Sequence, residues 1–503
     1  MMDYIERITP EQAGISSFRI LELIDKLEAQ GMELHSMMML RHGKIFAEAW
    51  WKPYNEQSPH IMFSFTKSLT STAIGFAVQE GLLSLDDKLV DIFPDKLPEL
   101  VSDNLKKSTL RHLLTMSCGH DSEIRDFGLS ENWIESFLAH PFVHEPGTKF
   151  LYNTAGTTML AAALKRASGQ DLMEFLKERL FDKIGIGDVP CITLPDGTQM
   201  GGAGSRLTTE EMARFMLFVA QSGEWNGEQL LDASWFDMAT TAQIDNSYTS
   251  NDPDWNKGYG FQFWQCEWES AYRADGAFGQ FGIVCPEEDI ILIFSTAAIW
   301  TQKLLTTLWN DFLPYFSDEP LPENRDIYLL MKYNLAKCEI KPLLSRRIAA
   351  CEEHNKKRYI PDGDYHGCWA DYIGGAGICS SGIYKNMNAP FATGKLEALS
   401  FNITDKELSI TATIDGEEDC LPIGYESHFL MFTMFGKVYG TVGGWLDKNH
   451  LEVMAYCAEA ASGRRIIFEF EGNKLYIRSY STLMEFGGLN DGDPGVLSFT
   501  LSE

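Results

Sequence analysis

Cysteine pairs are missing wherever pairing would carry meaning. The ten cysteines stand singly, none in a C-x-x-C and none at metal-finger spacing with histidine, which argues against a disulfide scaffold or a structural zinc site. No metal and no other cofactor is expected. No uninterrupted apolar run is long enough to cross a bilayer. The opening Met1-Met2-Asp3-Tyr4-Ile5-Glu6-Arg7 lacks the basic head and apolar stretch of a signal peptide. With free thiols added, the expectation is a reduced, cytoplasmic protein. Basic residues are also scarce, 42 Lys and Arg against 71 Asp and Glu, for a formal net charge of −29. Such a surface repels phosphate backbones and anionic lipid, so neither nucleic acid nor membrane is expected as a partner.

What is present is globular: 503 residues, 45% hydrophobic and 12% aromatic, more than one core can hold. Ser16-Ser17 precede apolar residues at helical spacing up to Gly31, which predicts an N-capped amphipathic helix. Ser36–Leu40 and Lys44–Trp51 flank Arg41-His42-Gly43 and predict a β-hairpin. Helical patterns dominate from about residue 82 to 205, including a helix at Thr157–Ala167, and Thr208 with Glu211 reads as a capping box. The period then shortens: Gly258–Trp264, Ala271–Gly276, Gln280–Cys285 and Ile290–Thr296 read as strands, and Thr301–Phe316 as a closing helix. Residues 1–318 therefore read as an α+β domain, its antiparallel sheet drawn from both ends of the segment, flanked by helices and enclosing a helical insertion. Residues 319–364 read as a linker with helical segments: a turn-rich start at Ser317–Glu323, a helix at Asp326–Ala336 and an ambiguous basic stretch at Pro342–Glu352. Residues 365–503 read as an all-β module, with strands at Leu396–Ile403, Glu407–Ile414, Phe429–Phe435, Arg465–Phe470 and Lys474–Tyr480.

Chemistry concentrates at Phe63-Ser64-Phe65-Thr66-Lys67-Ser68. Ser64 and Lys67 are three apart at the head of an apolar run that stops at Gly81, a C-cap signal. On a helix, i and i+3 share a face, so hydroxyl and amine can meet. A serine at a helix start sees outward-pointing N–H groups and the positive dipole end, which suits a nucleophile passing through an oxyanion. A lysine kept dry can lose its proton and act as base. The pattern alone is short, and about one or two chance copies are expected at this length.

The wider constellation resembles the serine β-lactamase and penicillin-binding-protein superfamily, nearest to class C enzymes and their esterase and amide-hydrolase relatives. The resemblance runs in order from Ile8 to Pro314. It includes Ser64-Phe65-Thr66-Lys67, Glu80–Asp87, Leu113–Gly119, Pro146-Gly147 before Phe150-Leu151-Tyr152, Gly201–Gly204, Gly258-Tyr259-Gly260 and Asp275–Gln280. It implies a β-lactamase/transpeptidase-like fold, with Ser64 as acyl-forming nucleophile and Lys67 as its proton partner. It also implies Tyr152 as general base or acid, a phenol that needs nearby ammonium charge to ionise below about 10, and an oxyanion hole from the N–H groups of Ser64 and Ala277.

Two positions depart from the family pattern. Thr154 stands where the second motif usually has asparagine, with Asn153 shifted by one and expected to point away. The third motif reads Ala274-Asp275-Gly276, without the cation that helps bind a carboxylate. Thr154, Asp275 and Gly276 are the candidate substrate contacts, and a neutral or cationic acyl substrate fits better than an anionic one. Arg273, on the opposite strand face from Ala274, is expected to be solvated, and Asp275 to bind either an amine or an arginine. His120 is expected at the surface, and Asp86-Asp87 and Glu287-Glu288-Asp289 as turn or capping charges. Trp255, Tyr259, Phe261 and Trp264 are candidates for an acyl pocket, with sheet packing expected for at least half. The expected activity is a serine hydrolase on a small-molecule ester or amide; a D-amino-acid peptidase or β-lactamase, and a penicillin-recognising binder with little turnover, are the alternatives. The C-terminal module could cover the cleft, bind a partner or form a homodimer.

Overall fold

The computed structural model describes residues 5–124, 127, 130–341, 352–365, 394–404, 407–424, 428–434, 437–482 and 496–502. The expected basic stretch at 342–351 and the beginning of the C-terminal module at 366–393 lie outside these residues. The chain divides into two compact units. The first comprises Met1–Ala49, Pro59–Thr296 and Trp300–Lys337; the second comprises Trp50–Ser58, Ala297–Ile299 and Cys338–Glu503.

In the first unit the elements that matter are helix α1 (Ser17–Ala29), strands β1 (Leu34–Arg41) and β2 (Lys44–Trp50), and helices α2 (Thr66–Gln79), α3 (Thr154–Ser168) and α4 (Thr209–Ala220). Strands β3 (Trp264–Gln265), β4 (Tyr272–Gly276), β5 (Gln280–Cys285) and β6 (Ile290–Thr296) follow, then helices α5 (Thr301–Asp311) and α6 (Arg325–Leu335). The sheet order is β2-β1-β6-β5-β4-β3, so strands from both ends of the unit meet at its centre. β1, β5 and β6 are buried at every residue, as strands are when both faces are covered. Their sequences accordingly show apolar runs, such as Ile290-Ile291-Leu292-Ile293-Phe294, rather than alternation. Helix α4, opened by the Thr208/Glu211 capping box, packs against β1, β5 and β6. Ser16 caps α1, its hydroxyl accepting from the Phe18 N–H at 3.2 Å. His42 and Gly43, with φ of 51° and 69°, make the tight turn between β1 and β2.

Gly258–Trp264 does not form the expected strand; Trp264–Gln265 pairs with β4, and Tyr259 makes only isolated bridges, to Ile244 and Trp264. Gly258 and Gln262 take positive φ (109° and 67°), and the Gln262 amide donates to the carbonyls of Leu113 and Leu114. The segment is folded inward as irregular chain. The closing helix is likewise shorter than expected, ending at Asp311 before a separate 3₁₀ turn at Leu313–Tyr315.

The second unit is one antiparallel sheet: β7 (Arg358–Pro361), β8 (Leu396–Ile403), β9 (Leu408–Ile414), β10 (Glu417–Ile423), β11 (Leu430–Met434), β12 (Lys437–Asp447), β13 (His450–Cys457), β14 (Gly463–Glu471), β15 (Lys474–Ser481) and β16 (Leu497–Leu501). Among the described residues, its ten strands run in the order β10-β9-β8-β7-β16-β15-β14-β13-β12-β11. The sheet curls almost closed: just past β10, Gly424 donates to Thr441 O at 3.3 Å and accepts from Gly443 N at 2.9 Å, both on β12. Leu399, Phe401, Ile410, Trp445, Val453, Phe468 and Phe499 fill its interior. Trp50–Ser58 packs with this unit through the Tyr54 hydroxyl, which donates to Ala460 O at 2.7 Å.

Candidate active site

Ser64 sits in a single 3₁₀ turn, Phe63–Phe65, that runs directly into α2. Phe63 carries a positive φ of 46°, a conformation a bulky residue adopts only when its surroundings hold it. Its ring meets Phe278 edge-on at 5.5 Å, and Phe65 lies over β5 so closely that a Cβ on Gly282 would come within 2.9 Å of it. The turn is clamped to the β4–β5 hairpin. Gly276 completes the clamp: a side chain there would meet Met62 O at 2.2 Å. Gly276 and the exposed Ala277 are thereby held beside the serine turn.

Helix α2 is buried at every position from Thr66 to Ala77, although it is rich in hydroxyls. Each hydroxyl therefore needs a partner. Thr66 bonds Ser205, Ser68 donates to Gln262 O at 2.8 Å, and Thr70 donates to Gly201 O at 2.7 Å. The Thr66 and Thr70 bonds fix α2 against the Gly201–Ser205 loop and present that loop to Lys67, while Ser68 ties the helix to Gln262.

Lys67 is 1% exposed. Its Nζ lies 3.0 Å from Ser64 Oγ, 3.3 Å from Thr154 Oγ1 and 2.7 Å from Gly202 O. Burial brings its pKa down to about 7, opposed by the carboxylates of Glu123 and Asp275. A neutral amine here can donate to the Gly202 carbonyl and turn its lone pair toward the Ser64 hydroxyl. The Nζ also stands 4.7 Å from the centroid of the Tyr152 ring. Tyr152 stacks on Trp264 (5.4 Å, 27°) and meets Tyr259 edge-on. Ser64, Lys67, Tyr152 and Thr154 thus converge around one amine.

Asn153 does turn away, and for a structural reason. It is the N-cap of α3, its Oδ1 accepting from the Gly156 N–H at 3.0 Å while its Nδ2 donates to His120 Nδ1 at 3.2 Å. His120 is not at the surface as expected. It is buried among Phe137, His140 and Phe142, and burial lowers its pKa to about 3. The expectation for Arg273 also fails. Its side chain is 0% exposed, its Nε donates to Asp275 Oδ2 at 2.8 Å, and its guanidinium lies 4.0 Å from the Trp255 ring centre. Strand alternation separates the directions of Arg273 and Ala274, but the face opposite Ala274 is roofed by Trp255, Trp264 and Phe281. Of the two readings of Asp275, the arginine pair is the one present. Burial pushes its carboxyl pKa up, against the pull of Arg273. Tyr259 and Phe261 are core residues, whereas Trp255 and Trp264 remain partly exposed.

Two roles escaped the sequence. Gly202, part of the Gly201–Gly204 run in the resemblance, supplies the carbonyl that holds Lys67; a Cβ on it would meet Thr154 O at 2.6 Å. Glu123, an exposed carboxylate, accepts the Thr154 N–H at 2.9 Å. Neither role has a sequence signature, since a carbonyl belongs to any residue and a loop glutamate looks like any solvated charge. Among the described residues no cluster of His, Cys, Asp or Glu could hold a metal ion, and no helix is long and apolar enough to cross a membrane.

Fold and site together define a β-lactamase/transpeptidase-like chain with an additional C-terminal β module. The Beta-lactamase family model matches residues 23–298, more than half of the sequence, and the chain belongs to that family. An uncharacterized protein of Alkalihalophilus pseudofirmus is 23% identical over 245 residues, covering 43% of this chain and 68% of its own. The lovastatin esterase of Penicillium rubens is 29% identical over 151 residues, 25% of this chain and 37% of the esterase. The monacolin J acid methylbutanoyltransferase of Aspergillus terreus is 29% identical over 166 residues, 27% of this chain and 39% of the transferase. The chain thus spans less than two fifths of either fungal enzyme's length.

Proposed function

We propose that the first unit is a serine hydrolase that works through a covalent acyl-enzyme on an ester or amide. The observation that carries this reading is the buried Lys67 amine 3.0 Å from Ser64 Oγ, with a pKa of about 7. At neutral pH roughly half of such an amine is unprotonated, enough to take the serine proton as the Oγ–carbonyl bond forms. The backbone N–H groups of Ser64 and Ala277 would receive the oxyanion. Lys67, its Nζ 4.7 Å from the Tyr152 ring centre, would return the proton to the leaving group as the scissile bond breaks. Water would then cleave the acyl-enzyme by the same route.

An esterase and an acyltransferase among the relatives support acyl transfer to or from oxygen. The missing third-motif cation supports an ester or amide without a carboxylate over a β-lactam. A fluorophosphonate probe tests the nucleophile: Ser64 is expected to be labelled, and Ser64→Ala to resist labelling. Equal labelling of both would refute the assignment. Turnover of simple esters and amides, set beside a lactam panel, then separates hydrolase from lactam binder.

A further inference from the structure

The charges around the reacting pair come from three elements. On α2, the Lys67 amine is committed to Ser64, Thr154 and Gly202. On β4, the Arg273 guanidinium is enclosed and paired with Asp275, so it offers nothing to an incoming anion, and the pair together is close to neutral. In the loop that precedes the helix Trp133–Ala139 stands Glu123, which accepts the Thr154 N–H at 2.9 Å. Thr154 in turn places its own hydroxyl 3.3 Å from Lys67 Nζ. Of the two carboxylates that act on the Lys67 charge, Glu123 acts more strongly than Asp275. It is also exposed, and among the described residues no cation pairs with it. Glu123 is therefore an available anion anchored one residue from the Lys67 amine, and among the described residues the site holds no free cation.

We propose that Glu123 is a specificity residue that receives an ammonium group of the substrate, so that this site takes cationic esters or amides in preference to anionic ones. The proposal rests on the serine-hydrolase reading and assigns its substrate class. Holding one oxygen on a backbone N–H leaves the other to accept from an ammonium, while the Thr154 contact removes the rotamer freedom that usually weakens an exposed ion pair. A carboxylate-bearing substrate entering the same place meets like charge, with no compensating cation among the described residues.

The test uses the full chain and three fluorophosphonates with tethers of equal length ending in a primary ammonium, methoxy or carboxylate. Each reacts by forming the Oγ–P bond at Ser64 and expelling fluoride, the serine proton passing to Lys67. Second-order labelling rates at constant ionic strength are expected to fall in the order cation, neutral, anion, with about a tenfold span from first to last. Glu123→Gln keeps the acceptor for Thr154 and changes the molecular charge of −29 by one unit, so the general field is almost unaltered. In that variant the span is expected to shrink at least threefold, and Glu123→Asp, which keeps the charge, is expected to retain part of it. Equal rates for the three probes on the unmodified chain overturn the proposal while leaving the hydrolase reading intact, even if Glu123→Gln fails to fold. An unchanged span in folded Glu123→Gln also overturns it. Absence of Ser64 labelling by every probe would overturn both readings together.

Discussion

Burial lowers the Lys67 pKa to about 7, with consequences for stability and, on the proposed mechanism, for rate. If the neutral amine takes the Ser64 proton, kcat/KM on an ester rises with pH through about 7 and levels above it. A profile measured from about pH 5 to about pH 9 checks this, and a flat one excludes Lys67 as the base. Removing the Glu123 charge withdraws an influence that raises the Lys67 pKa, so Glu123→Gln should move the rising limb to lower pH. The stability effect follows from the same titration. The ordinary lysine value is 10.5 and the folded value about 7, so between these pH values the unfolded chain holds the extra proton and stability rises with pH. Below about 7 both states are charged and the whole cost of burying the ion remains. Lys67→Met is expected to abolish Ser64 labelling and to remove that cost. Its stability relative to the unmodified chain is expected to be higher at about pH 6 than at about pH 9.5, by about 3 kcal/mol. Denaturant titrations at the two values measure the difference, and the reverse order would contradict the assignment.

At the scale of elements, the site is a meeting of two helix starts and one hairpin, each held by a local device that can be removed. Asn153→Ala deletes the cap of α3 and strips the buried His120 of its partner. A loss of about 1–3 kcal/mol is expected, with slower Ser64 labelling because Thr154 is the first residue of that helix. Asn153→Asp, which keeps the capping oxygen, should lose less; equal losses would show that the cap is unimportant. Gly276→Ala drives a methyl group into Met62 O, which a rigid turn has little room to yield. Labelling of Ser64 should fall more than tenfold, and normal labelling would show that the turn tolerates displacement. These devices also mark how far the sequence could be read. Capped helices and the β1–β2 hairpin were legible because caps and tight turns are local chemistry. The C-terminal strands at Leu396–Ile403 and Lys474–Tyr480 were legible from alternation, because one face fills a core. Gly258–Trp264 was not, because its fate depends on Gln262 reaching carbonyls nearly 150 residues away. The same holds for Arg273 and His120: a charged or polar residue is assigned to solvent by default, and only the tertiary structure supplies the aromatic roof or the asparagine partner that allows burial.

The whole molecule carries a charge of −29, and its consequence differs from that of any single pair. Many acidic groups do find partners: Glu80 with Arg179, Asp95 with Arg166, Glu210 with Arg7 and Arg214. Most such pairs are partly or largely exposed, and each is worth at most about 1 kcal/mol. The acidic excess, 71 residues against 42, cannot be paired at all and repels itself across both units. Salt weakens both effects, but the pairs act only at short range, whereas the repulsion sums over every unpaired carboxylate within a Debye length. The net sign should therefore be stabilising. Raising NaCl from about 0.02 M to about 0.3 M near pH 8 is expected to increase the melting temperature. The increase should shrink as the pH approaches the pI of about 4.8, where the excess charge is titrated away. Melting curves at several pH values measure it directly. A melting temperature that falls with salt at pH 8 would show instead that the exposed pairs outweigh the excess.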